Sequence, residues 1–335
     1  LDGHEGYFTA GYGNFNRINL EGAVEVTPSP DKFGLRIAAT YVDSDPYIKN
    51  RLPAGLNTAA GGGASGLNLN SGRSPGGTQS YGLRLSMRWK PVDTVDLKRK
   101  VYAAEAEGGT ESPIPTGSSK TSDVIDYTNP NFLLGGLFAA LAPAGLVPAS
   151  YSQSGRGLGE RELELDSVGV ATTRARGAVF DARIELSDSL KLISVTGYDE
   201  GLYDQSRTDC DGTPLRLCAI GYKSKFNGFN QDVRLDFDGG PFKAIVGAFY
   251  GKDKVVADNS PDFFNFLSDV TAAVGLPPTY FNPGGAFNGT ALSAGSLPTG
   301  IRASNHSVQK RTSYAAYGEA SYELTPALKV TAGVR

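Results

Sequence analysis

GTQSYGLRLSMRWKPVDTVDLKRKVYAAE, residues 77–105, sets the pattern that the rest of this chain repeats. From Tyr81 to Lys90 the residues alternate. Tyr81, Leu83, Leu85, Met87 and Trp89 fall on one face and Gly82, Arg84, Ser86, Arg88 and Lys90 on the other, the two-residue period of a β-strand. Pro91, Val92, Asp93 and Thr94 supply a tight turn. The chain then returns through Val95, Leu97, Val101 and Ala103, with Lys98, Lys100 and Tyr102 opposite, which predicts an antiparallel hairpin. One hairpin does not say whether its apolar face meets a protein core or lipid, so the decision falls to repetition.

Composition narrows the classes. A chain of 335 residues with 43 Gly, 16 Tyr and 16 Phe beside a single Met suits strands and loops better than helices. The net charge of -3, with its cations scattered along strands, gives no footprint for nucleic acid. Mean hydropathy is -0.24 and no apolar run reaches about 18 residues, which excludes an ordinary transmembrane helix. A membrane barrel stays open, because its strands are apolar only at every second position. Residues 1–10 carry no charged-then-apolar leader, so any targeting signal is expected outside this sequence.

The alternation recurs along the chain. A strand at 6–13 turns at Gly13 and Asn14 into one that carries Ile18, Leu20, Val24 and Val26 on one face. After a turn at 28–32, Phe33, Leu35, Ile37, Ala39 and Tyr41 repeat the pattern. Later strands are read at 168–187, 190–205, 232–238, 242–257, 311–325 and 328–335. Four long connections separate them, at 47–77, 106–167, 206–220 and 258–310. The first contains Gly61, Gly63 and Gly66 in a literal GxGxxG, but without strand-to-helix context it reads as a loop. Residues 132–147 are apolar yet short and broken by Pro143, so they predict a loop helix packed on neighbouring loops. In the last connection Ser260 and Pro261 suit a helix start, with Phe263, Phe266, Leu267, Val270 and Val274 at helical spacing.

Short turns alternate with long connections, which puts all the long ones on one rim. That is the signature of an outer-membrane barrel, with short periplasmic turns and long extracellular loops. The fold predicted is all-β: an antiparallel up-and-down transmembrane β-barrel, about half of a large one, occupying residues 1–335 as a single domain. Trp89, Tyr41, Phe33, Phe237, Tyr314 and Tyr322 would form interfacial girdles. Arg84, Arg88, Lys98, Arg183, Asp232, Arg234 and Glu319 would face the lumen. A soluble sandwich, such as a secreted adhesin, shares the alternation but not the one-sided loops.

GYGNFNRINLEGAV, LRIAATYVDSDPY, the hairpin itself, SVTGYDE, NQDVRLDF and TSYAAYGEASYELTPALKVTAGVR together resemble, in order, the barrel of a TonB-dependent outer-membrane receptor of a Gram-negative bacterium. The resemblance implies uptake, energised by the TonB complex, of a scarce bulky ligand such as an iron-siderophore complex, a cobalamin or an oligosaccharide. It implies a protein held in outer-membrane lipid and no bond-making chemistry. Receptors of this kind also carry an N-terminal plug and a TonB box, and neither is found here. With about eleven strands, the sequence reads as the front part of the barrel. A passive outer-membrane porin is the alternative.

His4 and His306 are the only histidines, and neither stands in a nucleophile or metal-ligand spacing. No catalytic residue, cofactor or metal site is therefore expected. Cys210 and Cys218, close together in an outer loop within an oxidising compartment, are expected to form a disulfide. Long loops on a rigid rim carry binding. Tyr280, Phe281 and Phe287 are the candidates for stacking on a ligand, and Arg302, Arg156 and Arg161 for pairing with an anionic siderophore.

Overall fold

The computed structural model describes residues 3–52, 73–110, 124–131, 135–264, 266, 301–302 and 304–335. In chain order its elements begin with β1 (Glu5–Gly13), β2 (Arg17–Ser29), β3 (Phe33–Ser44), the short β4 (Lys49–Asn50), β5 (Thr78–Val92) and β6 (Val95–Gly109). The next connection holds β7 (Val124–Asp126), α1 (Gly135–Leu141), a 3₁₀ turn (Ala142–Ala144), β8 (Ser150–Ser152) and β9 (Glu162–Leu163). Then come β10 (Val170–Ser187), β11 (Leu190–Asp209), β12 (Cys218–Gly239), β13 (Phe242–Phe263), β14 (Ile301–Arg302), β15 (Asn305–Thr325) and β16 (Leu328–Val334).

Eleven of these strands form one antiparallel sheet in the order β1-β2-β3-β5-β6-β10-β11-β12-β13-β15-β16, with β14 added beside β13. Each long strand pairs with the next one along the chain, and the path ends at β1 and β16 without closing. This is an up-and-down barrel wall in part, as the alternation predicts. Its register puts the apolar positions on one face. Phe33 lies opposite Trp89, Ile37 opposite Leu85 and Tyr41 opposite Tyr81, while Val246 lies opposite Gly318 and Tyr250 opposite Tyr314.

Aromatic residues bound this apolar band in two rows. Five strands carry them in pairs with the same spacing: Phe33 and Tyr41, Tyr81 and Trp89, Phe229 and Phe237, Phe242 and Tyr250, Tyr314 and Tyr322. Polar groups inside the band satisfy one another. Thr196 donates to Gln231 Oε1 at 2.5 Å, and Gln231 Nε2 donates to Ser194 Oγ at 2.9 Å. Arg99, opposite Met87 and one pair from the Trp89 row, is long enough to reach the nearer interface with its charged head.

The opposite face is polar and internally paired. Arg88 makes a bidentate pair with Asp96 at 3.1 and 2.9 Å. Arg183 pairs with Asp181 at 3.2 Å and Arg234 with Asp236 at 3.3 Å, and the Tyr317 hydroxyl donates to Asp232 at 2.9 Å. A lumen-facing surface of this kind costs little because its charges are matched or wet.

The strands run further than the alternation alone suggests. β6 reaches Gly109, β11 reaches Asp209, β12 starts at Cys218, β13 reaches Phe263 and β15 starts at Asn305. Ladder hydrogen bonds need no apolar side chain, so the strands continue beyond the band with a charged outer face. There Arg174 pairs with Glu105 at 2.8 Å, Arg176 with Glu200, and Lys223 with Asp204.

Two expectations are corrected by this extension. The helix start expected at Ser260 and Pro261 is instead the end of β13, where Pro261 lies opposite Ile220. On its other side it falls between the ladder to β15, which ends at Asn259, and that to β14, which begins at Asp262, so its missing N–H is not needed. His306, read as a loop residue, stands on β15 opposite Asp258, with Nδ1 and Oδ1 2.5 Å apart.

Candidate functional site

Among the described residues, the fully buried side chains concentrate at the outer rim, where the long connections meet in a cap. The first connection enters through β4, which pairs in parallel with β9 of the next long connection, Lys49 opposite Glu162 and Asn50 opposite Leu163. Asn50 then acts as a clamp. Its Nδ2 donates to Leu165 O at 3.2 Å, and its Oδ1 accepts from the Leu165 and Leu52 amides at 3.1 Å each. Beneath this clamp Leu163, Leu165 and Val168 form a small core with Ile48.

A second core joins three connections. Tyr127, Phe138, Val147 and Tyr151 from the 110–169 segment enclose Leu215 of the cysteine loop and Phe266 of the last connection. The Phe138 ring stacks on Tyr127 at 5.2 Å and tilts against Phe266 at 5.1 Å. Backbone bonds fix the meeting: Phe264 donates to Leu217 O at 2.6 Å and Phe266 to Arg216 O at 3.0 Å. The loop helix expected at 132–147 is present as α1 and its 3₁₀ turn, and its packing role falls to Phe138. Gly135 is required at its start, since a Cβ there would come within 1.9 Å of Asn129 O. Burial pushes the Tyr151 phenol up to about 12 and drives the Tyr127 phenol higher still, so both stay neutral at physiological pH.

Cys210 and Cys218 form a disulfide, Cα atoms 5.6 Å apart, where β12 begins. The β1–β2 turn contributes Phe15, which, like Asn16, holds a positive φ, at 60° and 51°. That conformation is unusual for a bulky side chain. Here it presents the ring edge-on to Tyr47 at 6.2 Å and beneath the Arg161 guanidinium at 5.4 Å.

The sequence-predicted ligand residues fall in four different settings. Arg156 grips the buried Glu164 through Nε at 2.9 Å and one terminal nitrogen at 2.8 Å, leaving its other terminal nitrogen outside the pair. Glu164 is the main reason the Arg156 pKa is raised. Arg161 lies on Phe15, and its carbonyl accepts from the Lys49 amide at 2.8 Å. Arg302 is placed by backbone pairing with Asp262. Tyr280, Phe281 and Phe287 lie outside the described residues, as do Leu267 and the Gly61, Gly63, Gly66 segment. Of the aromatics read at helical spacing, Phe266 is fully buried and Phe263 half-buried beside Phe264, the Phe263 and Phe264 rings 6.1 Å apart. Sequence reasoning missed Tyr127 and Leu215 as partners of that loop helix; their only local signal was an apolar residue inside a loop.

No protein-family model matches the sequence, and no curated protein matches it. Solved structures do. The ferric yersiniabactin uptake receptor FyuA from Yersinia pestis superposes with a TM-score of 0.59 and 10% identity, over 99% of this chain and 39% of that one. The siderophore receptor PiuA from Acinetobacter baumannii gives 0.50 and 12%, over 99% of this chain and 45% of that one. Sheet, loop asymmetry and superposition define a partial transmembrane β-barrel. More particularly, the chain has the barrel fold of TonB-dependent receptors, and it spans less than half the length of these two solved receptors.

Proposed function

We propose that this chain supplies barrel wall and extracellular cap to an outer-membrane receptor that takes up a scarce bulky ligand, of the iron-siderophore, cobalamin or oligosaccharide type, with energy delivered through TonB. The observation that carries the reading is the cap. Three connections share one aromatic core on a wall of the TonB-dependent receptor fold, and a rigid rim with excess loop length is where such a fold binds. FyuA and PiuA are described as a ferric yersiniabactin uptake receptor and a siderophore receptor, which favours an iron complex.

In this reading Tyr280, Phe281 and Phe287 stack on the ligand, while Arg302, Arg161 and the outer edge of Arg156 attract its negative charge. The test is deletion of residues 280–300 from the full-length protein. High-affinity binding is lost while insertion in the outer membrane persists. Binding and uptake unchanged by the deletion would make that loop a cover and exclude it as the site. Uptake that continues without TonB would identify a passive porin.

A further inference from the structure

Three carboxylates meet inside the cap, apart from every residue assigned to ligand above. Asp166 lies on the approach to β10, Asp209 ends β11 and Asp211 follows it. One carboxylate oxygen from each lies within 4.8 Å of the other two. Asp166 is 3% exposed and Asp209 2%.

Part of the cluster is held by ordinary loop bonds. Asp209 Oδ1 accepts from the amides of Asp211 at 2.8 Å and Gly212 at 2.7 Å, and Asp211 Oδ2 accepts from the Thr213 hydroxyl at 2.6 Å. Two further carboxylate oxygens are not held in this way. Asp166 Oδ1 and Asp211 Oδ1 are sealed from water and accept no hydrogen bond, and the hydroxyl of the buried Ser167 is in the same condition. An acceptor left bare in a dry interior is an expensive arrangement unless something absent from the polypeptide meets it.

Charge gives the same answer. Arg216, itself buried, is the cation whose field reaches Asp166, and it offsets one of three negative charges. With all three carboxylates ionised, Arg216 leaves two negative charges to be matched.

We propose that Asp166, Asp209 and Asp211 bind a divalent cation of the calcium class, which staples the segment before β10 to the loop after β11. Two oxygens bound to one Ca²⁺ at about 2.4 Å can stand at most about 4.8 Å apart, so the cluster has the span of a single coordination sphere. Its donors are all hard oxygens, which disfavours the softer transition metals. The irregular, dehydrated setting suits Ca²⁺ better than Mg²⁺, which keeps several waters and demands near-octahedral geometry. The inference stands whether or not the chain transports anything.

The test uses the full-length protein in detergent, stripped with chelator and titrated with Ca²⁺ alone by calorimetry. One saturable site per chain is expected, with a dissociation constant of about 10⁻⁴ M or tighter. Asp166→Asn, which spares the loop bonds of Asp209 and Asp211, weakens it about tenfold or more. Calcium also slows trypsin cleavage within 150–169 relative to chelator in the wild type, a readout that decides the matter if Asp166→Asn fails to insert. Absence of a binding heat, equal affinity in the variant, or cleavage indifferent to calcium would each overturn the site.

Discussion

Wall and cap belong to the same chain, yet they are held by different means. In the wall Leu83 is 55% and Tyr314 84% exposed, and the protein offers their faces no other layer to pack on. In the cap Phe138 and Leu163 are 0% exposed and pack only on protein. The wall therefore needs lipid to complete it, while the cap carries its own interior. One chain thus combines a wall completed by the bilayer with a rim whose packing does not depend on the bilayer.

The sharpest way to break this comparison is Phe138→Ala. Loss of a fully buried ring costs about 3–5 kcal/mol, and the loss should be confined to the cap. Hydrogen exchange would show the 124–169 and 210–217 amides opening while β11 to β13 stay protected between the aromatic rows. Joint opening of cap and wall would abolish the distinction. Next comes Leu85→Arg, at the middle of the apolar band, where a lipid-facing cation costs about 2–4 kcal/mol. Its neighbour Ser86→Arg, on the polar face, should fold and insert normally, as read by heat-modifiable gel mobility. Equal damage from the two would mean that the faces are misassigned.

Reducing the Cys210–Cys218 bridge, or replacing both cysteines with serine, should cost the cap about 2.5 kcal/mol by the chain-entropy model for a separation of 8 residues. The effect should appear as faster proteolysis of 210–217 with unchanged barrel mobility. The smallest effect is expected from Glu164→Gln, which removes the charge of the buried Glu164 but leaves an amide oxygen to accept from the more exposed Arg156, about 1 kcal/mol. It should raise local exchange near Arg156 without altering the aromatic core.

The same contrast explains what the sequence disclosed. A period of two is a local signal, so Tyr81 to Trp89 and Tyr314 to Leu324 announced the wall, its faces and the rim of each loop. Strand ends were less legible, because above the band the outer face turns from Leu83 to Glu105 and Arg174 while the ladder continues. Pro261 misled for a related reason: it looks like a helix start, and only the geometry of two neighbouring ladders shows that its N–H is dispensable. The cap was hardest to read. Phe138, Leu215 and Phe266 meet across separate connections, and Asp166 reaches Asp209 and Asp211 from another loop, so no window of sequence contains the signal.

The two aromatic rows also act as a gauge. Eight residues separate Tyr81 from Trp89, Phe242 from Tyr250 and Tyr314 from Tyr322. At about 3.3 Å per residue that is about 26 Å of strand, or about 20 Å along the membrane normal at a tilt of about 40°. Because the interval recurs on strands from both halves of the sheet, the protein is cut to one hydrocarbon thickness. It is therefore matched to a thin bilayer such as the bacterial outer membrane, and a thicker one would drag its charged upper strands, Arg174 and Lys223 among them, into acyl chains.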